Sequence, residues 1–298
     1  MANSEAIGVD IGGTNLRLAR IDANGTILDT RAERVSGNGA FVAERVKVLC
    51  LDLLTEDVGS IGIGIPGRVD FAARQALSGG FLDFAGTDLV RRVEESTGRR
   101  VLLDTDCNMA LVGEVAIGAA VGAANVVMLT IGTGIGGAVM AGGSILRGRS
   151  SAGQLGHLTV DLHGLPCKCG RAGCVETTSS GTALGRLIAA DQWPAGTTAE
   201  DLLARAAAGD ARADRLTSAW AEPLRAALDS IAASFDPQII VIGGGLGHAA
   251  FAALERTSAK SPWYQYDLVR ARLADNAGVV GGAFSGLQAY GNTRVSVQ

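Results

Sequence analysis

The stretch GQLGHLTVDLHGLPCKCGRAGCVE, residues 153–176, holds three of the five cysteines of the chain and two of its three histidines. Cys167, Cys169 and Cys174 follow C-x-C-x4-C spacing, and His157 lies ten residues before the first of them. Three thiolates and an imidazole complete a tetrahedron for zinc, and this spacing closes it around a single loop. Gly170 and Gly173 allow that loop to turn tightly. A disulfide or three incidental thiols are the alternatives, and a reducing compartment argues against the first. With four protein ligands no coordination position stays open, so such an ion shapes the loop and performs no chemistry.

Two glycine turns form the second constellation. Asp10-Ile11-Gly12-Gly13-Thr14-Asn15 follows an apolar run, and Gly132-Thr133-Gly134-Ile135-Gly136-Gly137 follows another. The second satisfies G-x-G-x-x-G, which invites a dinucleotide reading. Such a turn must open a helix that faces the pyrophosphate, whereas the following AVMAGGS reads as a strand, and no acidic residue stands about 20 positions on. Ordinary hairpin turns are the bland alternative for either turn alone. As a pair on duplicated hairpins they would grip a polyphosphate through backbone N–H groups. The only lysines are Lys47, Lys168 and Lys260, none in a glycine loop, and no G-x-x-x-x-G-K occurs. Phosphate charge would therefore be met by backbone donors and a divalent ion, with Asp10 the carboxylate near that ion. Asp106, where a short strand runs into a helix, is placed to take a proton from an attacking hydroxyl. A plain helix N-cap is its alternative role.

The elements that must carry these residues alternate. The pattern predicts strands at Ala6–Ile11 and Leu16–Ile21 with a turn at Asn24-Gly25, a helix over Phe41–Leu54, and a strand Ile61–Ile65 ending at Pro66-Gly67. A helix over Thr87–Thr97 stops at Gly98, the strand Val101–Leu103 delivers Asp104, Thr105 and Asp106, and a helix covers Asn108–Val121. From Asn125 the opening repeats: VVMLTI, the turn GTGIGG, then AVMAG. The likeness of VDIGGTNLRLA to LTIGTGIGGAVMA suggests an internal duplication and two similar lobes. Helices over Ala199–Ala208, Asp214–Phe235 and Ala277–Tyr290, and the strand Gln238–Ile242 with its exit Gly243-Gly244-Gly245, complete an α/β chain.

At 298 residues and 47% hydrophobic content, the chain has material for two lobes. We place a small N-terminal lobe at 1–116, completed by 290–298, and a large lobe with the cysteine loop at 117–289. A formal net charge of -4 without runs of like charge excludes a nucleic-acid or anionic-membrane partner and favours small molecules. The N-terminus lacks a basic signal region, and Cys50 and Cys107 form no framework, so a cytoplasmic location is expected. No charged residue occurs from Val115 to Leu146, but eight glycines interrupt that span, which reads as helix end, strand, turn and strand instead of a membrane helix.

VDIGGTN, TDCNMALVGE, TIGTGIGGAV, the G-Q-x-G-H element and C-x-C-G-x-x-G-C-x-E together resemble the ROK family of bacterial sugar kinases and repressors, over essentially the whole chain. The resemblance implies an actin-like, hexokinase-type (ribonuclease H-like) duplicated fold, two lobes with ATP and sugar meeting in their cleft. It implies Asp106 as catalytic base, and a nucleotide lined by Asp10, Gly12, Gly13, Thr14, Asn15, Gly132, Thr133, Gly134, Gly243 and Gly244. It further implies Mg²⁺ with the ATP, structural Zn²⁺ on His157, Cys167, Cys169 and Cys174, and sugar contacts at Gly67, Thr105, Asp106, Gln154, His157 and Glu176. A homo-oligomer, a dimer in the first place, goes with it.

Two positions depart from the family pattern: Thr105 stands where Asn is usual before the aspartate, and Gln154 where Glu is usual. Thr offers one hydroxyl in place of an amide, and Gln donates where Glu only accepts, so an altered sugar list is expected, with amino-hexoses or cyclitols beside glucose. Phosphorylation of the primary hydroxyl of a hexose or hexose-like substrate is the leading function. The repressor branch carries an N-terminal helix-turn-helix of many tens of residues, whereas nine residues precede Asp10 here, so a regulator without its DNA reader is the second function. A nicotinamide-dependent oxidoreductase is the third.

Overall fold

The computed structural model describes residues 4–13, 15–36, 38–78, 82–84, 86–258, 262–263 and 265–290. The chain begins with β1 (Glu5–Ile11), β2 (Asn15–Asp22), β3 (Ile27–Arg34), α1 (Gly39–Leu53), β4 (Val58–Ile65), β5 (Arg68–Asp70) and β6 (Gln75–Ser78). It continues with α2 (Leu89–Thr97), β7 (Arg100–Thr105), α3 (Asp106–Ile117), β8 (Val126–Ile131), β9 (Ile135–Ala141) and β10 (Ser144–Ile145). The helices α4 (Glu176–Ser179), α5 (Gly181–Ala190), α6 (Ala199–Ala207) and α7 (Ala211–Phe235) follow. Last come β11 (Ile239–Gly243), α8 (Gly247–Glu255), β12 (Asp267–Arg270) and α9 (Ala277–Tyr290). No described helix is long and apolar enough to cross a membrane.

Two compact units emerge: 1–122 with 145–152 and 272–298, and 123–144 with 153–271. Their sheets repeat one pattern, β3-β2-β1-β4-β7 in the first and β10-β9-β8-β11-β12 in the second. In each, an antiparallel hairpin (β1 with β2, β8 with β9) is followed by parallel partners, β4 then β7 and β11 then β12. The duplication expected from the two glycine turns is thus present strand for strand.

In the first unit one sheet face is covered by α1 and α2 over a core that includes Ile7, Val9, Leu18, Val42, Val46 and Val93. The helix α2 stops where expected, because Gly98 takes the left-handed conformation at φ 66° and returns its N–H to Glu94. On the other face lie α3 and α9, with Ala6, Ala19, Val279, Ala283 and Phe284 between them. Here backbone meets backbone. A Cβ at Gly8 would stand 1.7 Å from the Val279 carbonyl oxygen, one at Gly62 1.9 Å from that of Gly282, and one at Gly281 1.6 Å from that of Met109. The expected division at 116 and 290 is therefore displaced: α9 belongs to the first unit, not to the second lobe, and the segment 291–298 lies outside the described residues.

The edge strand β3 was not expected beyond its preceding turn, because ILDTRAER alternates half-buried and exposed residues and carries four charges. The second unit is built around α7, whose Trp220, Leu224, Leu228 and Ile231 join Val127, Leu129 and Ile240 in one core. Trp220 is among the largest fully buried side chains, and its indole N–H donates to the Ser180 carbonyl at 3.0 Å.

Candidate active site

In the first unit the turn after β1 is closed by the Gly12 N–H donating to the Asn15 carbonyl at 2.8 Å. Thr14, expected within this turn, lies outside the described residues. Asp10 ends the row Ala6, Gly8, Asp10 that faces α9, and a Cβ at Gly278 would come within 2.6 Å of its carboxyl carbon. Burial first, then the neighbouring Asp106 carboxylate, push Asp10 up to about 7, while Arg17 acts against them.

Asp106 is the first residue of α3, at the carboxyl end of β7. Its Oδ1 accepts the Cys107 N–H at 2.8 Å, which favours the ionised form, yet burial prevails and lifts it to about 6. Asp106 is not the helix cap. That place is held by Thr105, whose hydroxyl oxygen accepts the Asn108 N–H at 3.2 Å. Behind them Asp104, only 5% exposed, accepts from the Asn108 amide at 2.7 Å, from the Thr105 N–H at 2.8 Å and from Arg147 at 2.8 and 2.9 Å. The Arg147 guanidinium also lies 3.6 Å from the centroid of the Phe71 ring. Gly67, after β4, sits at φ 97°. Glu114, fully buried, accepts three backbone N–H groups, from Ala119, Arg272 and Leu273, and so holds the exit of α3 to the segment that leads into α9.

In the second unit the residues after the glycine turn continue as β9, a strand, so the dinucleotide alternative lacks its helix. The turn is braced from α5: Gly181 N–H donates to the Gly132 carbonyl at 2.8 Å, and the Thr182 hydroxyl donates to the Thr133 carbonyl at 2.8 Å. Glu176 closes it from the other side, its Oε2 accepting the Ile135 N–H at 3.0 Å, and a Cβ at Gly134 would meet that oxygen at 2.5 Å. Gly244, after Gly243 at the end of β11, adopts φ 85° against the Ile131 backbone. Gln154 is exposed at the head of a 3-10 turn, Leu155–His157.

The ligand atoms of His157, Cys167, Cys169 and Cys174 lie within 4.8 Å of one another. His157 Nδ1 and Cys167 Sγ are 3.6 Å apart, as are the sulfurs of Cys169 and Cys174, and all five cysteines are free thiols. Burial, with the crowded neighbouring sulfurs, holds the Cys174 thiol well above its ordinary value. A donor set of this kind becomes thiolate when a cation shares it, and three sulfurs with one imidazole suit zinc.

The structure thus places Asp10, Gly12, Gly13, Asn15, Gly67, Thr105 and Asp106 in the first unit, and Gly132, Thr133, Gly134, Gln154, His157, Glu176, Gly243 and Gly244 in the second. Sequence reading missed Arg147, Glu114, Thr182 and Arg17. Glu114 alone left a trace, a carboxylate within the apolar run after TDCNMALVG.

The sequence pattern of the ROK family matches residues 6–287. A glucokinase of Halalkalibacterium halodurans is 33% identical, with 95% of each chain covered. An N-acetylmannosamine kinase of Escherichia coli is 33% identical over 93% of this chain and 96% of its own. Among solved structures, a ROK family glucokinase from Streptomyces griseus in complex with glucose and AMPPNP is 29% identical, covers 95% of this chain and 99% of its own, and superposes with a TM-score of 0.81.

Proposed function

Since this chain belongs to the ROK family and shares the duplicated actin-like α/β fold of its kinases, we propose that it is an ATP-dependent sugar kinase acting on the primary hydroxyl of a hexose or hexose-like substrate. One observation carries the reading. Asp106 stands at the start of α3, ionised near neutral pH but lifted to about 6, in the same unit as the Asp10 glycine turn. A carboxylate so tuned accepts a proton from an alcohol as that alcohol becomes a nucleophile.

In this reaction the sugar oxygen forms a bond to the γ-phosphorus of ATP and gives its proton to Asp106. The bond between that phosphorus and the β,γ-bridging oxygen breaks, and its electron pair leaves with ADP. Gly12, Gly13, Asn15, Gly132, Thr133 and Gly134, with Gly243 and Gly244, are the proposed nucleotide contacts, and Thr14 is proposed with them; the N–H groups of Gly12 and Gly132 close their own turns, onto the Asn15 and Gly134 carbonyls, so the phosphate donors would come from the other backbone N–H groups. Asp10 would hold a magnesium ion, which supplies charge neutralisation at the phosphates when bound. Gly67 and Thr105, and Gln154, His157 and Glu176, are the proposed sugar contacts. His157, Cys167, Cys169 and Cys174 would hold zinc, which keeps the loop bearing His157 and Glu176 in shape.

The substrate list follows from Thr105 and Gln154. The Thr105 oxygen is engaged by the Asn108 N–H, which leaves its own O–H to donate, whereas an Asn would offer two donors. A substrate acceptor beside the attacking hydroxyl, or a small substituent there, fits this better than the usual pattern does. A coupled ADP-release assay against hexoses, amino-hexoses and cyclitols tests the proposal. Sugar-dependent ADP formation by at least one member is expected, and its absence across the panel defeats the kinase reading.

A further inference from the structure

Three polar residues in a row end β7 and begin α3. Thr105 is the helix cap and Asp106 the proposed base, which leaves Asp104, following the apolar run Val101–Leu103 and almost wholly buried, without a part in the reaction. A carboxylate in that place loses its hydration and must find a donor for every lone pair. It does so. Oδ1 accepts the Thr105 N–H at 2.8 Å and the Asn108 side-chain amide at 2.7 Å, while Oδ2 accepts Arg147 Nε at 2.9 Å and Nη2 at 2.8 Å. These donors saturate both oxygens.

Arg147 is itself fixed from several sides. Its guanidinium lies 3.6 Å from the centroid of Phe71, in the turn between β5 and β6. Its carbonyl accepts the N–H groups of Ser150 at 3.0 Å and Ala152 at 3.3 Å, and the Ser150 carbonyl in turn accepts Arg68 Nε at 3.3 Å. A buried ion pair adds little net stability over apolar residues of the same shape, because two charges leave water to form it. What it supplies here is geometry. The planar fork sets the plane of the Asp104 carboxylate, and that carboxylate holds the Asn108 amide, whose own backbone N–H goes to the Thr105 hydroxyl oxygen. The Thr105 O–H and the neighbouring Asp106 carboxylate are thus aimed by contacts that begin at Arg147.

We propose that Arg147 and Asp104 are positioning residues for phosphoryl transfer: through Asn108 and Thr105 they hold the cap of α3 in the arrangement that presents the Thr105 hydroxyl and the Asp106 carboxylate to the sugar. The inference rests on the kinase reading above and deepens it by naming what aims its base. Neither residue touches the substrate, and neither gains or loses a proton. They act on distance and angle at the attacking hydroxyl, where a misplacement of about 1 Å costs up to roughly 10²-fold in rate. Loss of Arg147 alone leaves the Asp104 charge buried and unpaired, so Asn108 and Thr105 are drawn out of place. Loss of both charges together leaves an amide oxygen for the same two N–H donors.

The test uses the full chain with Arg147→Met, Arg147→Lys, Asp104→Asn and the double variant Asp104→Asn, Arg147→Met. Arg45→Met, which breaks the forked pair with Glu33 elsewhere in the same unit, is the control. Sugar-dependent ADP release, run far below the Tm of each variant, gives kcat and both KM values, and amide hydrogen exchange across residues 104–109 is followed without substrates. Arg147→Met is expected to lower kcat by roughly 10- to 10²-fold with the KM for ATP little changed, and to speed exchange of the Thr105 and Asn108 amides by about tenfold. Arg147→Lys, which keeps the charge without the fork, falls between. Asp104→Asn alone also loses kcat, because its amide N–H groups face the guanidinium donors, and the double variant recovers most of what Arg147→Met loses. Arg45→Met keeps the parent's kcat and its exchange at 104–109. A parent without sugar-dependent ADP release defeats the kinase reading, whereas unchanged exchange in Arg147→Met defeats the relay whatever the parent's turnover. A folded Arg147→Met with kcat within about twofold of the parent, a loss confined to the KM for ATP, or a double variant no faster than Arg147→Met overturns the proposal. Should Arg147→Met fold poorly, Arg147→Lys decides by the same kcat-against-KM split and the same exchange.

Discussion

Replacing Asp106 by Asn should separate activity from stability in a pH-dependent way. The amide keeps an oxygen for the Cys107 N–H, which is 2.8 Å from Oδ1, so the start of α3 is preserved. What disappears is the charge. Burial raises this carboxyl from 3.8 to about 6, so the parent's fold favours the protonated form. The stability this confers is fully present below the unfolded value and is lost as pH rises through the folded one. At about 1.36 kcal/mol per pKa unit, the loss reaches a ceiling of about 3 kcal/mol above neutrality. Roughly 1 kcal/mol of it is already gone at pH 4.5, which leaves about 2 kcal/mol between pH 4.5 and 7.5. Asp106→Asn escapes that loss, and it relieves Asp10 of a neighbouring charge in the same sense. Urea titrations of both proteins at the two pH values should therefore show the variant gaining on the parent by up to about 2 kcal/mol as pH rises. In the ADP-release assay at pH 7.5 it should lose roughly 10²- to 10⁴-fold in kcat, the usual loss for a general base. A stability difference that is equal at both pH values, or turnover near that of the parent, would refute the role given to burial at this carboxylate.

Three other outcomes are expected. Purified protein should carry about one zinc per chain, and Cys169→Ser should lose the metal together with protease resistance of residues 155–176; metal analysis with limited proteolysis reads both. Gly281→Ala should cost about 3 kcal/mol or more, since its Cβ would fall 1.6 Å from the Met109 carbonyl oxygen; loss of soluble folded protein or a drop in Tm of roughly 10 °C is the readout. The double variant Thr105→Asn, Gln154→Glu should move kcat/KM toward glucose or an N-acetylhexosamine relative to the parent's best substrate. Asn caps a helix as well as Thr does, so its Tm should stay near that of the parent, and an unchanged ranking places specificity elsewhere.

The residues that chemistry singles out were legible where a short stretch of chain closes on itself. The C-x-C-x4-C spacing predicts one loop, and the four ligand atoms do meet within 4.8 Å. Likewise the two glycine turns announced the hairpins β1–β2 and β8–β9, because period-two alternation on both sides of a glycine pair leaves few other folds. The helix α9 was found with its bounds but assigned to the wrong unit. Its row Gly278, Gly281 and Gly282 is a surface with no side chains, and such a surface states only that some backbone comes close. Its partners are Asp10, Gly8, Gly62 and the Met109 carbonyl, which come from β1, β4 and α3. No periodicity within 277–290 names them.

The same limit hid Arg17, the cation that acts on Asp10 from the neighbouring strand. Asking where phosphate charge is met by counting lysines leads to backbone donors and a metal ion, because a lysine in a glycine loop is visible as a local motif. A guanidinium delivered by the strand beyond the turn is not. It becomes visible when the register pairs residue 10 with residue 17, which puts the seven-residue separation on one sheet face with Asp275 beside it. A one-residue slip of β2 would carry Arg17 to the opposite face, among Val9 and Leu18, and leave Asp10 without its neighbour. The closed Gly12–Asn15 bond that sets this register is therefore part of the charge arrangement at the proposed phosphate site, as well as part of the fold.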